Sequence, residues 1–139
     1  MKIFQKKIDD FFKWVKGTEL VILEDIDGPE DPVRPELSLE WRKEYNRQIF
    51  GLKYEDNIEG VVCVAYTKGV PHSVRELELM SENASMKNDA DTAVAYTVWS
   101  RKRGAGKEII HKLSEHAQKN PELKRMVTLS PLTPMATHF

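Results

Sequence analysis

The chain has 139 residues, of which 40% are hydrophobic and 31% are charged, and this size predicts one globular domain, residues 1–139, with its own core. Its 21 basic and 22 acidic residues give a formal net charge of -1, which excludes an overall field that attracts nucleic acid or an anionic membrane. The sequence has no run of roughly 20 apolar residues and no signal-peptide pattern, and its lone cysteine cannot form an internal disulfide, so we expect a soluble cytoplasmic protein.

The chain begins with apolar residues at helical spacing, which predict an amphipathic first helix ending near Gly17. This mostly aromatic stripe is typical of a face that packs in a core. Its members are Phe4, Ile8, Phe11, Phe12 and Val15.

The segment that follows is harder to assign. Residues 20–26 alternate apolar and acidic side chains only in part, which fits a short strand or a segment at the rim of the sheet. Three prolines in 27–35 exclude regular pairing and predict an irregular loop. The pattern over 37–45 fits a strand and a helix equally well.

Two strands, 48–54 and 58–66, are predicted on either side of the polar turn 55–57, and together they form an antiparallel hairpin. Residues 61–65 are the apolar run Val-Val-Cys-Val-Ala, which indicates a central strand covered on both faces. Cys63 is therefore predicted to be a small core residue.

A further helix is predicted from residue 74 to about residue 81. Ser73 can cap its first turn, and Glu76, three residues later, completes a capping box. The polar stretch 83–91 predicts a loop.

Residues 94–119 contain a strand, a glycine-rich turn and a helix, around which the fold is organised. The turn is Arg-Lys-Arg-Gly-Ala-Gly at 101–106, and the first amides of the helix after it have no partner within that helix. With the positive end of the helix dipole and three cationic side chains, these amides predict a phosphate or pyrophosphate site. The apolar stripe of the helix is Ile109, Ile110, Leu113 and Ala117.

The order of elements predicts an α+β fold. The last helix stops at Asn120-Pro121, and 125–130 is another strand. A hairpin followed by a strand-helix-strand crossover gives a mixed, mostly antiparallel sheet with helices on both faces, in three layers. The anion site then lies at the carboxyl end of strand 94–100, where such sheets bind ligands. No metal site is predicted, because His111 and His116 lack a metal-ligand spacing to a second ligand.

The glycine turn resembles a known motif. Arg101-x-x-Gly104-x-Gly106 at a strand-to-helix junction is similar to the acyl-CoA pyrophosphate loop of the GNAT superfamily of N-acetyltransferases. A closer resemblance, over about residues 60–139, is to the catalytic domain of the malonyl-CoA decarboxylases, which share the GNAT fold. Three blocks carry it in order: Val-Ala-Tyr-Thr-Lys-Gly-Val at 64–70, Asp-Ala-Asp-Thr-Ala-Val-Ala-Tyr-Thr-Val at 89–98 and Val-Thr-Leu-Ser-Pro-Leu at 127–132.

The resemblance implies that acyl-CoA binds along this strand and turn, with no metal. The loop amides would hold the pyrophosphate, and the strand edge near Val98 would pair with the pantetheine amide. The residues expected to bind the cofactor are Val98, Ser100, Arg101, Arg103, Gly104, Ala105, Gly106 and Lys107.

The resemblance also implies two catalytic residues. In the decarboxylases the serine of the Leu-Ser-Pro block hydrogen-bonds the malonyl carboxylate, and that position is Ser130 here. Loss of carbon dioxide leaves a thioester enolate, so donors are needed at the thioester oxygen, and a general acid must protonate the carbon. The family takes this acid from a His-Leu-x-Asn-Gly motif, and His138 lies one or two positions early for it.

The chain departs from the family pattern near Phe139. Either the reading frame is truncated there or His138 has taken over the histidine's task. The last strands of the sheet and the family's helical amino-terminal domain are also missing, and the glycine turn is closer to the acetyltransferase form. An incomplete sheet leaves an open edge, on which a second copy would pair as a homodimer.

Three functions therefore remain open. One is a malonyl-CoA decarboxylase-like lyase that uses Ser130. The second is an N-acyltransferase, in which Asp91, Glu78 or a water chain accepts a proton from a small-molecule or protein amine. The third is a non-catalytic CoA-binding domain.

Overall fold

A six-stranded sheet forms the middle layer of the fold. The structure is a computed structural model, and it describes residues 2–26, 30–129 and 135–139. At 2–4 and 135–138 it describes the backbone alone. The strands lie side by side in chain order: β1 (Thr18–Leu23), β2 (Gln48–Tyr54), β3 (Asn57–Thr67), β4 (Thr92–Ser100), β5 (Arg125–Thr128) and β6 (Met135–His138). Among these described strands only the β4–β5 pair is parallel, and every other neighbouring pair is antiparallel.

Helices cover both faces of the sheet. They are α1 (Lys2–Gly17), α2 (Leu39–Lys43), α3 (Val74–Lys87) and α4 (Ala105–Gln118). Trp14 of α1 and Ile109 of α4 share one core with Val62, whereas Leu77 of α3 and Trp41 of α2 pack on the opposite face. The predicted three-layer α+β fold is confirmed. No helix of the described residues is both long enough and apolar enough to span a membrane.

The first helix forms as predicted, but the prediction that its aromatic stripe is core is wrong in part. Phe11 and Phe12 are 53% and 56% exposed. The helix docks on the sheet through Trp14 instead, with Val15 packed beside it. The sheet-facing side of α1 therefore does not include the two phenylalanines, although the Phe11 ring lies 6.1 Å from the Trp14 ring.

The central hairpin confirms the prediction from its apolar pattern. β2 and β3 pair antiparallel around the predicted turn, and residues 61–65 of β3 are completely buried. Cys63 lies in this run as a buried free thiol. Burial raises the pKa of that thiol, so it stays protonated at neutral pH.

The third helix starts as predicted and ends later. The Ser73 hydroxyl accepts a hydrogen bond from the Glu76 amide at 3.1 Å, but α3 continues to Lys87, so the loop predicted over 83–91 is wrong in its first half. Two side chains from the segment before β2 contact α3 from outside. Arg47 donates to the Ser81 hydroxyl at the end of the predicted part, and Asn46 donates to the Ser85 hydroxyl in the added turns.

The two segments whose sequence pattern fits more than one structure, 20–26 and 37–45, form a strand and a short helix. Residues 20–26 contribute to the edge strand β1, and 37–45 contain the short helix α2, which Ser38 caps. The sheet also has a final strand, β6, that the sequence pattern does not predict. It pairs with β5 from Arg125 opposite His138 to Thr128 opposite Met135.

Candidate functional site

The amino end of α4 is open, as the glycine-rich turn predicts. Gly104 precedes the helix with φ +90°, a backbone conformation that other residues rarely adopt, and no side chain caps the helix. A Cβ added at Gly104 or Gly106 would meet no atom within 4 Å. The amides of Gly106 and Lys107 have no hydrogen-bond acceptor among the described residues, whereas the Ala105 amide donates to the Lys102 carbonyl at 3.0 Å. Two free amides thus face an open surface at the positive end of the helix.

The basic side chains around this turn are not equivalent. Arg101 forms a two-pronged ion pair with Glu30, at 2.5 Å and 2.7 Å, and this hydrogen bonding lowers the pKa of Glu30. Lys102 lies over the rings of Trp14 and Tyr54. Arg103 and Lys107 are exposed beside the free amides. A bound anion would therefore gain most from these last two cations.

A close approach of helix to sheet fixes the position of this turn. A Cβ on Gly60 of β3 would lie 3.3 Å from the Cβ of Ala105, which is completely buried at the start of α4. Only a glycine facing an alanine lets the helix come this near. The same end of the sheet carries Ser100, which pairs with Gly60 and is exposed at the end of β4.

A cavity opens where β4 and β5 part. The two strands pair from Thr92 opposite Arg125 to Ala95 opposite Thr128, and the Leu129 amide still donates to the Ala95 carbonyl at 3.0 Å. Beyond that point β4 continues without a described β5 partner. The cavity between them has a volume of about 180 Å³, and it is lined by Val33, Ala95, Tyr96, Thr97, Val98, Ile110, Thr128 and Leu129.

The cavity and the open helix end belong to the same two elements. Val98 of β4 lines the cavity two residues before Ser100, and Ile110 of α4 lines it five residues after Ala105. Five helical residues span about 8 Å. An elongated ligand could therefore place an anionic group at the end of α4 and a smaller, less polar group in the cavity.

A β-bulge shapes the wall of this cavity. Val64 of β3 pairs with Ala95, and Cys63 pairs with Thr97, so Tyr96 is an extra residue in β4. Its carbonyl accepts a hydrogen bond from the Arg34 Nε at 2.9 Å. The Arg34 Nη2 donates to the Leu129 carbonyl at 3.1 Å, so one guanidinium spans the gap between the strands.

Behind this arginine lies a buried network of charged side chains. Asp31 and Arg42 are completely buried and form an ion pair at 2.8 Å. Asp31 also accepts from the Val33 and Arg34 amides and from the Thr97 hydroxyl. Burial acts to raise the pKa of Asp31, but the hydrogen bonds from the Arg34 amide and the Arg42 side chain hold this pKa below its ordinary value.

Sequence reasoning missed this network, because it treated 27–35 only as an irregular loop. One signal was present. Asp31 is followed by Pro32, and an aspartate in such a position often accepts hydrogen bonds from the backbone amides two and three residues later. The partners Arg42 and Thr97 are distant in sequence, and no local pattern identifies them.

The two predicted catalytic residues are placed differently. Ser130 lies outside the described residues, directly after Leu129 at the cavity wall. The backbone of His138 is described, and it pairs with Arg125, which in turn pairs with Thr92 at the start of β4. His138 is thus level with the beginning of β5.

Asp91, considered as a base for acyl transfer, lies just before β4, at the end of that strand opposite to the glycine turn. Its carboxylate accepts from the Gly69 amide, the Thr92 hydroxyl and Arg125. Burial acts to raise the pKa of the Asp91 carboxyl, but these hydrogen bonds hold it below its ordinary value. Among the described residues, no group of three His, Cys, Asp or Glu side chains could hold a metal ion.

Comparison with known proteins identifies solved structures that share the fold. No protein-family model matches the chain, and no curated protein sequence does. Three of the matching structures are each described as a malonyl-CoA decarboxylase. That from Agrobacterium vitis has a TM-score of 0.65 at 23% identity, over 88% of this chain and 36% of that one.

The other two structures give similar values. The structure from Rhodopseudomonas palustris has a TM-score of 0.62 at 19% identity, over 91% of this chain and 38% of that one. The structure from Cupriavidus metallidurans has a TM-score of 0.58 at 20% identity, over 88% of this chain and 34% of that one. At these identities the likeness establishes the fold, and the chain spans only about a third of the length of each enzyme.

Proposed function

We propose that this chain binds an acyl-CoA and removes carbon dioxide from malonyl-CoA. The observation that carries the proposal is that the open amino end of α4 and the cavity between β4 and β5 are built from the same strand and helix. The pyrophosphate would accept hydrogen bonds from the Gly106 and Lys107 amides, with Arg103 nearby. The pantetheine would follow β4 past Val98, and the acyl group would enter the cavity.

Decarboxylation of malonyl-CoA requires few protein groups. When the bond between the malonyl carbon and its carboxylate breaks, the electron pair stays on that carbon and spreads to the thioester oxygen as an enolate. Hydrogen-bond donors that face this oxygen stabilise the transition state. We assign Ser130 to the malonyl carboxylate, and the enolate carbon then takes up a proton. His138 stays a predicted donor for that proton, and the proposal does not depend on it.

The position of Asp91 favours this assignment over acyl transfer to an amine. An N-acyltransferase needs a base near the thioester, and Asp91 lies at the opposite end of β4 with a lowered pKa. A base with a lowered pKa accepts a proton less readily.

Product analysis tests the proposal. The protein is incubated with malonyl-CoA alone and, separately, with acetyl-CoA and a panel of amines. We expect acetyl-CoA and carbon dioxide from the first mixture, and Ser130→Ala should lower kcat/KM on the order of 100-fold. Ser114→Ala, at a half-buried position of α4 outside the cavity lining, is the matched control and should keep full activity.

Other products would contradict the proposal. CoA thiol released only when an amine is present would identify an acyltransferase. CoA binding without any turnover would identify a non-catalytic CoA-binding domain.

A further inference from the structure

A second cavity lies at the end of the sheet opposite to the glycine turn. Its volume is about 300 Å³, larger than that of the cavity between β4 and β5. Its walls include Gln48 at the start of β2, Tyr66 near the end of β3, and His116 and Ala117 in the last turn of α4. Because α4 has 14 residues, its two ends are about 20 Å apart. This cavity is therefore separate from the proposed acyl-CoA site.

The charges around the second cavity favour a cation. Among the described residues that line it, Glu122 is the single carboxylate, and none is a lysine or an arginine. Two helices also end there, since Asn88 caps the carboxyl end of α3 and His116 lies in the last turn of α4. The carbonyl groups at such helix ends carry partial negative charge. Lys87 and Lys119, which lie next to these ends in the chain, do not line the cavity.

Two side chains of the lining are oriented so that each leaves an acceptor free. The Tyr66 hydroxyl donates to the Gln48 Oε1 at 2.7 Å, so its oxygen keeps a lone pair. The Asn46 Nδ2 donates to the Ser85 hydroxyl at 3.0 Å, and its Oδ1 receives no hydrogen bond from a described residue. An ammonium group has three N–H donors and no acceptor, so it matches such oxygens.

Two other side chains of the lining leave donors free. Gln48 uses its Oε1 for Tyr66, and Asn120 uses its Oδ1 for the Glu122 amide at 3.0 Å. The Gln48 Nε2 and the Asn120 Nδ2 donate to no acceptor in the described part of the chain. A ligand hydroxyl group can accept from these amides and donate to a neighbouring oxygen.

From this arrangement we infer that the second cavity binds a small hydroxylated molecule that carries a protonated amine. The ammonium group would lie near Glu122, and the hydroxyl groups would face the carboxamides. The volume is many times what one water molecule needs, so it suits an organic molecule better than a single metal ion. The inference does not rest on the proposed acyl-CoA function, because the two sites lie at opposite ends of β4.

Glucamine and sorbitol test the role of the charge, because these six-carbon molecules differ only in an ammonium group that replaces one hydroxyl. Each is titrated into the isotope-labelled chain at pH 7 and constant ionic strength, and the amide chemical shifts report the Kd and the place of binding. We expect the largest shifts at 46–48, 88–90 and 116–123. Glucamine should bind about fivefold more tightly than sorbitol.

Substitutions at the cavity separate its charge from its shape. Glu122→Gln should bind both molecules equally. Asn120→Asp keeps an acceptor for the Glu122 amide and adds a carboxylate, so it should bind glucamine more tightly and leave sorbitol unchanged. Glu19→Gln, the same charge change at an exposed site on β1, is the matched control and should behave like the unmodified chain.

Three results would overturn the inference. One is an unmodified chain whose cavity residues do not respond to glucamine, or that binds glucamine and sorbitol equally, and this measurement needs no variant to fold. The second is an equal loss of glucamine affinity in Glu122→Gln and Glu19→Gln, which would indicate unspecific attraction to surface charge. The third is full displacement of glucamine by an equal concentration of Mg²⁺, which would indicate a site for an inorganic cation.

Discussion

Asp31 and Arg42 show how much a single pair of residues contributes to the candidate site. Their ion pair is completely buried, and the Arg42 side chain also donates to the Leu37 and Arg34 carbonyls and lies 3.4 Å from the Cys63 Sγ. Such a pair is costly to bury, but it is more costly to leave half of it without a partner. The pair therefore fixes the loop that presents Arg34.

Arg42→Met should lower the free energy of unfolding by about 3–5 kcal/mol, because it leaves the Asp31 carboxylate buried beside a neutral side chain. Urea titration at pH 7 measures this change. Arg75→Met, a charge loss at an exposed position, should change stability by less than about 0.5 kcal/mol.

The pH dependence of stability provides a second test of the Arg42→Met variant. The pKa of Asp31 is lower in the folded chain than in the unfolded one. The contribution of Asp31 to the free energy of unfolding is therefore fully present above its pKa in the unfolded chain, near pH 4. This contribution is lost as the pH falls through its lower pKa in the folded chain. Without Arg42 the folded pKa rises, so the decline in stability below about pH 4 should be shallower. An equally steep decline in both proteins would show that the pair does not set this pKa.

Helix α4 carries the other half of the candidate site at its first turn. Gly106 lies there in open space with an ordinary backbone conformation. A side chain at this position does not strain the fold, and replacing a helical glycine stabilises a helix by roughly 0.5–1 kcal/mol. An acidic side chain in the first turn is favoured further by the helix dipole.

Gly106→Glu should therefore keep or raise the melting temperature while weakening CoA binding by about 10- to 100-fold, since its carboxylate would repel the pyrophosphate. Gly106→Gln is the neutral control of the same size, and its affinity should fall much less. Calorimetry with CoA compares the two. Equal affinities for the Glu and Gln variants would place the pyrophosphate away from this helix end.

Local patterns explain which elements the sequence predicts well. The β2–β3 hairpin, the buried run in β3, the Ser73 cap and the turn before α4 each depend on residues close together in the chain, and all four are observed. The end of α3 is different, because Asn46 contacts Ser85 in its later turns from outside the helix. The exposed Phe11 and the strand β6 were missed for the same reason, since the docking partner decides both. The position of the Arg34 side chain also depends on hydrogen bonds to residues 62 and 95 positions away in the chain.

At the scale of the whole molecule, stability is expected to be highest in the centre of the sheet. β3 is completely buried at 61–65 and pairs with β2 on one side and β4 on the other. The strands β1 and β6 lie at the two edges. Edge strands open by local fluctuations, whereas central ones exchange only through larger unfolding events.

Amide hydrogen exchange should therefore be slowest at residues 61–65 and 93–95 and faster in β1 by roughly two orders of magnitude or more. Mass spectrometry of peptide fragments measures both regions in one sample. Comparable exchange in β1 and β3 would indicate that the sheet opens as one unit.

The matching order of strands in the sheet and in the chain also bears on how the molecule assembles. A ribosome releases each strand when its neighbour has already emerged, so the growing sheet extends from one side without rearrangement of earlier pairs. Only the β2–β3 and β5–β6 connections are short, whereas the connections 24–47, 68–91 and 101–124 are long and each contain a helix. The step from β4 to β5 is distinct because the two strands are parallel, so α4 must cross the sheet before they can pair, and the gap between these strands therefore depends on the packing of α4.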